Sequence, residues 1–234
     1  EKTTPGIEFA DYIGANDYFI EIGITPNRGD LLSHFGIARE VASAFNLKFL
    51  KPEIDLKETD IETTELISIE IQNNEYCKRF TGRVIRGVKV GESPLWLKER
   101  LNSVGLRPRN NIVDITNFIL METGQPLHAF DYDKISGKKI IIKTAKENDR
   151  FTTLDSKERI LNNNSLMICD AEKASSIAGI MGGEYSEITD KTVNVFLESA
   201  YFDPVCIRKT SKRLALSTDA SQRFERGVDI DNVI

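Results

Sequence analysis

An α+β fold is predicted for this chain. Three observations carry that prediction: runs of β-formers and segments of helical period are interspersed along the sequence, no βαβ unit recurs, and no internal repeat is present. With 234 residues and 40% apolar content, there is material for one large domain, or for a small domain joined to one of roughly 150 residues.

The elements follow in order. Residues 19–46, FIEIGITPNRGDLLSHFGIAREVASAFN, are expected to open with a short strand and turn at Pro26, Asn27 and Gly29. They then enter a helix capped by Asp30, with Leu31, Phe35, Ala38, Val41, Ala42 and Phe45 at helical spacing. The stretch LKFLKPEIDLKETDIETT (47–64) is acidic, polar and aperiodic, so a linker is placed at 51–65 with a domain boundary there. Beyond it, LISIEIQ (66–72) and GRVIRGVKV (82–90) read as strands.

Ser93 and Pro94 are the expected N-cap and first position of a helix that carries Trp96, Leu97 and Leu101 inward and stops at Gly105. A second helix is expected over about 110–123, ending at Gly124. Strands follow at 138–145, at 151–161 with a turn at Asp155-Ser156, at 165–170 and at 192–199, and then a basic helix at 203–214.

Composition excludes several functions. Cys77, Cys169 and Cys206 are an odd number, far apart and without a CxxC pair, so neither a disulfide framework nor a cysteine zinc site is indicated, and the cytoplasm is the expected compartment. There is no run of about 18 apolar residues and no leader pattern, so no membrane association is expected. The start at Glu1 and the ending GVDIDNVI read as those of a piece of a longer chain. A net charge of −5 argues against strong free-standing polyanion binding, so any RNA contact is expected to be local.

Some signals are weak. Arg28-Gly29-Asp30 spells an adhesion tripeptide, but such tripeptides arise by chance and Asp30 has a capping role to fill. Gly179, Gly182 and Gly183 meet neither phosphate-loop pattern, and a tight turn beside a strand is the plainer reading. The two histidines, His34 and His128, lack HExxH or a cysteine cluster, so no metal is expected. His34 reads as a packing or surface residue, and Ser221 has neither a GxSxG elbow nor a nearby histidine.

Four segments matter together: VDITNFILMETGQPLHAFD (113–131), SIAGIMGGEYSEI (176–188), VFLESAYFDP (195–204) and STDASQRFERGVD (217–229). In this order and spacing they resemble the bacterial phenylalanyl-tRNA synthetase β-subunit family, and TPNRGDLLSHFGIAREVA (25–42) extends the match upstream. The resemblance covers nearly the whole chain, and GQPLHAFD and RFERGVD are its most specific strings.

The resemblance implies an α+β editing module over 66–234, preceded at 1–50 by part of a small winged-helix-like domain whose RNA-binding insertion is absent here. It implies tRNA(Phe) as partner through its acceptor end, and an α subunit in an α2β2 tetramer. It also implies a synthetic site on that subunit, where ATP and magnesium act, so that this segment takes no cofactor and does not aminoacylate. The implied chemistry is hydrolysis of Tyr-tRNA(Phe), since an apolar pocket rejects an added hydroxyl by only about a hundredfold and a second pocket must invert the selection. A noncatalytic RNA- or subunit-binding scaffold is the alternative.

Residue by residue, Glu198 matches the hydroxyl-sensing glutamate, expected to form a charged hydrogen bond of about 1.5–3 kcal/mol with the phenol. By pattern alone it would be an outward-facing strand residue. His128 matches a pocket residue near the ester; by itself it would be a packing histidine, with no carboxylate placed by sequence to orient it. Thr116 and Asn117 match positions holding the substrate amino group or water, against a plain helix-surface reading. Pro126 belongs to the same pocket string. Ala178, Gly179 and Gly182 match a wall where backbone approaches the aminoacyl group, and Thr218 and Ala220 match the opposite wall, or else simply a turn. Arg208, Lys209, Lys212 and Arg213 are candidates for acceptor-end phosphates or a solvated helix face.

Overall fold

The computed structural model describes residues 5–12, 16–18 and 20–233. A one-turn helix α1 (Phe9–Tyr12) and helix α2 (His34–Ala44) come first, followed after an irregular stretch by the short helix α3 (Thr63–Leu66) and strands β1 (Ser68–Ile71) and β2 (Cys77–Arg86). Helices α4 (Leu95–Ser103) and α5 (Asn111–Thr123) lead into β3 (Leu127–Asp131). Then come β4 (Lys139–Thr144), β5 (Arg150–Thr152), β6 (Glu158–Ile160), β7 (Leu166–Cys169), β8 (Ala174–Ile177), β9 (Met181–Gly182) and β10 (Asn194–Phe202), and helices α6 (Pro204–Leu214) and α7 (Asp219–Arg226) complete the order.

The strands form two main sheets: five strands in the order β1-β4-β7-β8-β9, and three in the order β2-β10-β3, with β5-β6 as a separate hairpin. Among the described residues, only the β1/β4 pair is parallel. Phe130, Phe196, Phe202, Ile140, Ile142, Ile168, Ile177 and Ile207 are fully buried in one core shared by both sheets, α6 and α7. Alternation along β10 puts Phe196, Glu198, Ala200 and Phe202 on the core face, while Val195 and Leu197 join Ala129, Ile188 and Ile112 in a smaller cluster on the other face. The α+β mixture is as expected.

Several elements differ from expectation for identifiable reasons. Residues 20–25 form no strand, since nothing pairs with them; residue 19 lies outside the described set. The cap of α2 is Ser33, whose Oγ accepts from Gly36 N at 3.0 Å, whereas Asp30 sits in a 3-10 turn held by Arg28. On α4 the cap is Pro94, without a side-chain bond, because the Ser93 hydroxyl is donated to Asp114 instead, at 2.5 Å. Leu97 and Leu101 are buried as expected, but Trp96 is 56% exposed and rests edge-on against Phe118. Gly105 (φ +79°) and Gly124 (φ +82°) end their helices in left-handed conformation as the sequence indicates.

Strand β2 begins five residues earlier than read and stops before Gly87. The motif GQPLHAFD makes β3, a strand the apolar count was too sparse to reveal, and STDAS is the capped start of α7 rather than a turn. The segment before the acidic stretch is fastened to the rest: Arg223 Nε donates to Leu32 O at 3.2 Å, and His34 Nδ1 lies 2.9 Å from Met121 O on α5.

Candidate functional site

The middle strand of the three-stranded sheet carries the candidate residue Glu198. In β10, Glu198 stands in register with His128 of β3 on one side and with Gly82 of β2 on the other. Directly opposed residues on an antiparallel pair have Cβ atoms about 4.5–5.5 Å apart and share a face. The structure thus supplies the carboxyl neighbour for His128 that no local sequence pattern could show.

Glu198 is 5% exposed, and its Oε2 is buried without a hydrogen-bond partner. Burial alone raises its pKa from the ordinary 4.5 to about 8. At neutral pH the group is therefore mainly the neutral acid. The expectation of a charged side chain is thereby corrected: at neutral pH Glu198 offers an O–H as well as a carbonyl oxygen.

His128 is partly buried, its ring edge-on to Phe130 at a centroid distance of 4.4 Å. Desolvation lowers its pKa to about 4, so it stays neutral and retains a lone pair on one ring nitrogen. Gly182 of β9 closes in from the five-stranded sheet. A Cβ there would stand 2.8 Å from His128 Cε1, 2.9 Å from Nε2 and 3.1 Å from Leu154 Cδ1. Leu154, at the tip of the β5-β6 hairpin, hangs its amide on Gly182 O at 3.0 Å.

The remaining candidates fall into two further groups. Gly179 adopts φ +67°, and a Cβ on it would meet Phe224 at 2.8 Å, Phe202 at 3.0 Å and Ile207 at 3.1 Å, so the space beside it is filled by the protein's own core. Ala178 is buried in the same core, and Ala220 packs against it. The Thr218 hydroxyl donates to Ile180 O at 2.9 Å and caps α7 by accepting from Ser221 N, which ties α7 to the 178–182 turn. This group gathers around Phe202, four residues and about 14 Å along β10 from Glu198.

The other group lies on α5. The Thr116 hydroxyl is buried and donates to Val113 O of its own helix at 2.8 Å, and Asn117 is half-buried. Among the described residues, no hydrogen bond joins either to Glu198 or His128. Pro126 is buried just ahead of β3, its carbonyl accepting from Gln125 Nε2, which also reaches Ala200 O at 3.0 Å and so pins the entry of β3 to β10.

On α6, Arg213 is committed to Ile160 O and Ser165 Oγ, leaving Arg208, Lys209 and Lys212 exposed. A surface depression of about 630 Å³ lies elsewhere, between α2 and Leu47–Pro52; its lining is mainly apolar, with His34, Lys48 and Lys51 at its rim and neither Glu198 nor His128 in it.

Sequence reasoning missed Gly82 and Leu154. A Cβ at 82 would lie 2.2 Å from the Phe196 ring, so glycine there leaves that ring its space. A glycine inside a strand is the signal for such an approach. Leu154 carries no such signal.

A family model described as the B3/4 domain matches residues 76–234, a span that takes in β2, β3, β9 and β10. The chain belongs to the B3/4 domain family. Over 233 residues, all of this chain and 29% of the relative, it is 50% identical to the phenylalanine–tRNA ligase β subunit of Fusobacterium nucleatum subsp. nucleatum. The β subunit of Carboxydothermus hydrogenoformans is 52% identical over 220 residues, 93% of this chain and 27% of the relative. The chain thus spans less than a third of the length of these curated relatives. A solved N-terminal fragment of the phenylalanyl-tRNA synthetase β-subunit from Pyrococcus horikoshii aligns with TM-score 0.45 at 18% identity, over 81% of this chain and 58% of that one.

The B3/4 domain's Glu198 leaves a mark on stability. The folded state holds the Glu198 proton up to about pH 8 while the unfolded chain releases it near 4.5, so folding weakens as pH rises between those values. His128 acts oppositely between about 4 and 6.5, because only the unfolded chain takes up its proton there. The two slopes offset each other up to about pH 6.5. Above it the Glu198 slope stands alone, at about 1.4 kcal/mol per pH unit. Glu198→Gln is therefore expected to cancel a decline of about 2 kcal/mol between pH 6.5 and 8. Denaturant titrations of both proteins across that range are the check, and parallel pH profiles would show that Glu198 is ionised when buried.

Proposed function

We propose that this chain carries a post-transfer editing site that hydrolyses Tyr-tRNA(Phe) within a longer β subunit. The observation that carries the reading is Glu198: a buried carboxyl with an unpartnered oxygen, in register with a neutral histidine and facing a core that is otherwise apolar. A tyrosyl side chain supplies the missing partner through its phenol, whereas phenylalanine leaves it unmet. Sites built around a substrate hydroxyl discriminate strongly because the unpaired group remains buried when the hydroxyl is missing.

In the reaction, a water oxygen bonds to the ester carbonyl carbon. The bond from that carbon to the ribose oxygen then breaks, and the ribose oxygen leaves with a proton. His128, neutral at pH 7, accepts a hydrogen bond from the attacking water or a ribose hydroxyl and so orients it. The low pKa makes it a weak base, so orientation is the larger part of its contribution. Gly182 leaves the backbone close to the reacting carbonyl. An aminoacyl ester is already activated, and no covalent nucleophile takes part.

In this reading residues 66–234 form the editing unit, 1–50 belong to a partial winged-helix-like domain, and 51–65 connect them. The longer protein pairs with an α subunit in an α2β2 assembly in the cytoplasm. Phenylalanine activation there uses ATP and magnesium, and this segment binds the tRNA(Phe) acceptor end.

The test is deacylation of preformed Tyr-tRNA(Phe), with Phe-tRNA(Phe) as control, by the complete assembly. Selective hydrolysis of the tyrosyl ester supports editing. No hydrolysis of either would point to a noncatalytic scaffold. His128→Ala is expected to slow hydrolysis about 10- to 100-fold while preserving the preference for tyrosine; an unchanged maximal rate with the preference lost would assign the selectivity to His128 instead.

A further inference from the structure

Gly182 and Gly183 run straight into a single 3-10 turn, Glu184–Ser186, and side-chain hydrogen bonds tie that turn to each unit around it. Ser186 Oγ donates to Ser175 O of β8 at 3.1 Å, and Gly183 N reaches the same carbonyl at 2.8 Å, which binds the turn to the five-stranded sheet. Ser156 Oγ, at the tip of the β5-β6 hairpin, donates to Glu184 Oε1 at 2.5 Å. The bonds toward the three-stranded sheet are reciprocal. Tyr185 Oη donates to Lys134 O at 2.7 Å, and Lys134 Nζ donates back to Glu187 O at 2.8 Å.

Lys134 belongs to the 3-10 turn Tyr132–Lys134 that leaves β3, the strand of His128. Its ammonium also lies 3.6 Å from Asp131 Oδ2, and that buried carboxylate accepts from Thr192 Oγ1 at 2.7 Å, just ahead of β10. The end of β3, the turn after β9 and the entry to β10 are thus held in one network. Neither Tyr185 nor Lys134 belongs to a hydrophobic cluster. Tyr185 is 37% exposed, with Lys173 Nζ 3.0 Å from its ring centroid, and Lys134 is half-buried. Side chains that bury little apolar surface yet commit their polar groups across a junction between sheets act there by linking. Across this same junction Gly182 and His128 approach each other, with 2.8 Å from the missing β-carbon to the ring.

We propose that Tyr185 and Lys134 are positioning residues: their reciprocal clasp fixes the gap between Gly182 and the His128 ring, and with it the rate at which the site hydrolyses its ester. The effect on rate rests on the editing reading above; the clasp does not. A misplacement of about 1 Å costs about 100-fold in rate, so a small loosening at a strand of two residues is amplified in the chemistry. Glu198 lies outside the clasp, in a strand paired along both edges, and the preference for a phenol is untouched.

The test uses the full-length polypeptide in its native assembly. Tyr185→Phe removes the hydroxyl and keeps the ring under Lys173. Lys134→Met removes the ammonium and keeps the carbonyl that Tyr185 uses, whereas Lys134→Arg keeps a donor. Hydrogen exchange followed by mass spectrometry is expected to run about 2- to 10-fold faster across 181–187 in Tyr185→Phe and Lys134→Met, as one lost hydrogen bond allows, and at the wild-type rate across 194–202. In the same two variants kcat for Tyr-tRNA(Phe) deacylation is expected to fall about 2- to 10-fold, with KM and the preference over Phe-tRNA(Phe) unchanged. Lys134→Arg should match wild type in both measurements.

If wild type hydrolyses neither ester, the editing reading fails while exchange alone decides the clasp, faster exchange upholding it. Wild-type exchange across 181–187 in both variants would overturn the proposal. So would faster exchange accompanied by a wild-type kcat, which would make the clasp a surface staple without bearing on the site.

Discussion

Glu198→Ala is expected to let Tyr-tRNA(Phe) accumulate while phenylalanine charging by the same assembly continues nearly unchanged. The alanine removes the group that a phenol satisfies, and a hydrogen bond to a neutral acid contributes about 0.5–1.5 kcal/mol. That corresponds to a loss of about 2- to 12-fold in kcat/KM for the tyrosyl ester. The phenylalanyl ester gains nothing from Glu198 in wild type, so its slow hydrolysis should hardly change and the two esters converge. Preservation of the fold is expected, because the wild-type acid is buried with an unpartnered oxygen and alanine relieves that cost. Clearance of Tyr-tRNA(Phe) at the wild-type rate by this variant would sink the hydroxyl-sensor assignment.

Gly182→Val should abolish most hydrolysis of either ester, by about 100-fold or more, because a β-carbon there meets the His128 ring at 2.8 Å before any further methyl is added. The ring must turn or Leu154 must retreat, and both line the same space. Gly179→Ala is the informative contrast. Its β-carbon meets Phe224, Phe202 and Ile207, and its φ of +67° is strained for any side chain, so the expected loss is about 1–3 kcal/mol of stability. Activity per folded molecule should survive it. Single-turnover deacylation beside thermal melts distinguishes the two effects, and the reverse pattern would place the reacting carbonyl at Gly179.

These contrasts show what could be read from residues alone. Gly105, Gly124 and the apolar period of 110–123 located the α4-α5 hairpin well, because caps and left-handed glycines are local chemistry. The strand at 20–25 was misread because β-formers without a partner strand do not hold a strand. Trp96 was assigned inward from spacing, but at 56% exposed it only leans on Phe118. Pattern would have turned Glu198 outward, since an acid inside an apolar strand normally faces water; the resemblance reversed that assignment, and the alternation of β10 puts it on the core face. Its pairing with His128 depends on a register between segments 70 residues apart, which no single-sequence period encodes. Gly82 stands in mid-strand, but the sequence reading began that strand at Gly82 itself and so hid the signal. The filled space around Gly179 was not legible, for it is closed by three side chains from β10, α6 and α7.

Glu198 and His128 belong to the three-stranded sheet, whereas Gly182 stands on the last, two-residue strand of the other sheet. The site is therefore a seam rather than a pit. A pit must unfold part of its wall to admit a bulky ester, but a seam opens when two intact sheets part slightly at one margin. The strand on the far side is the shortest, paired with β8 and tied to the β5-β6 hairpin through Leu154, and the one bearing the buried acid is held along both edges. Under the proposed editing reaction, a slight parting at that margin is the route by which the ester enters and leaves, while the register of β10 with β2 and β3 stays fixed.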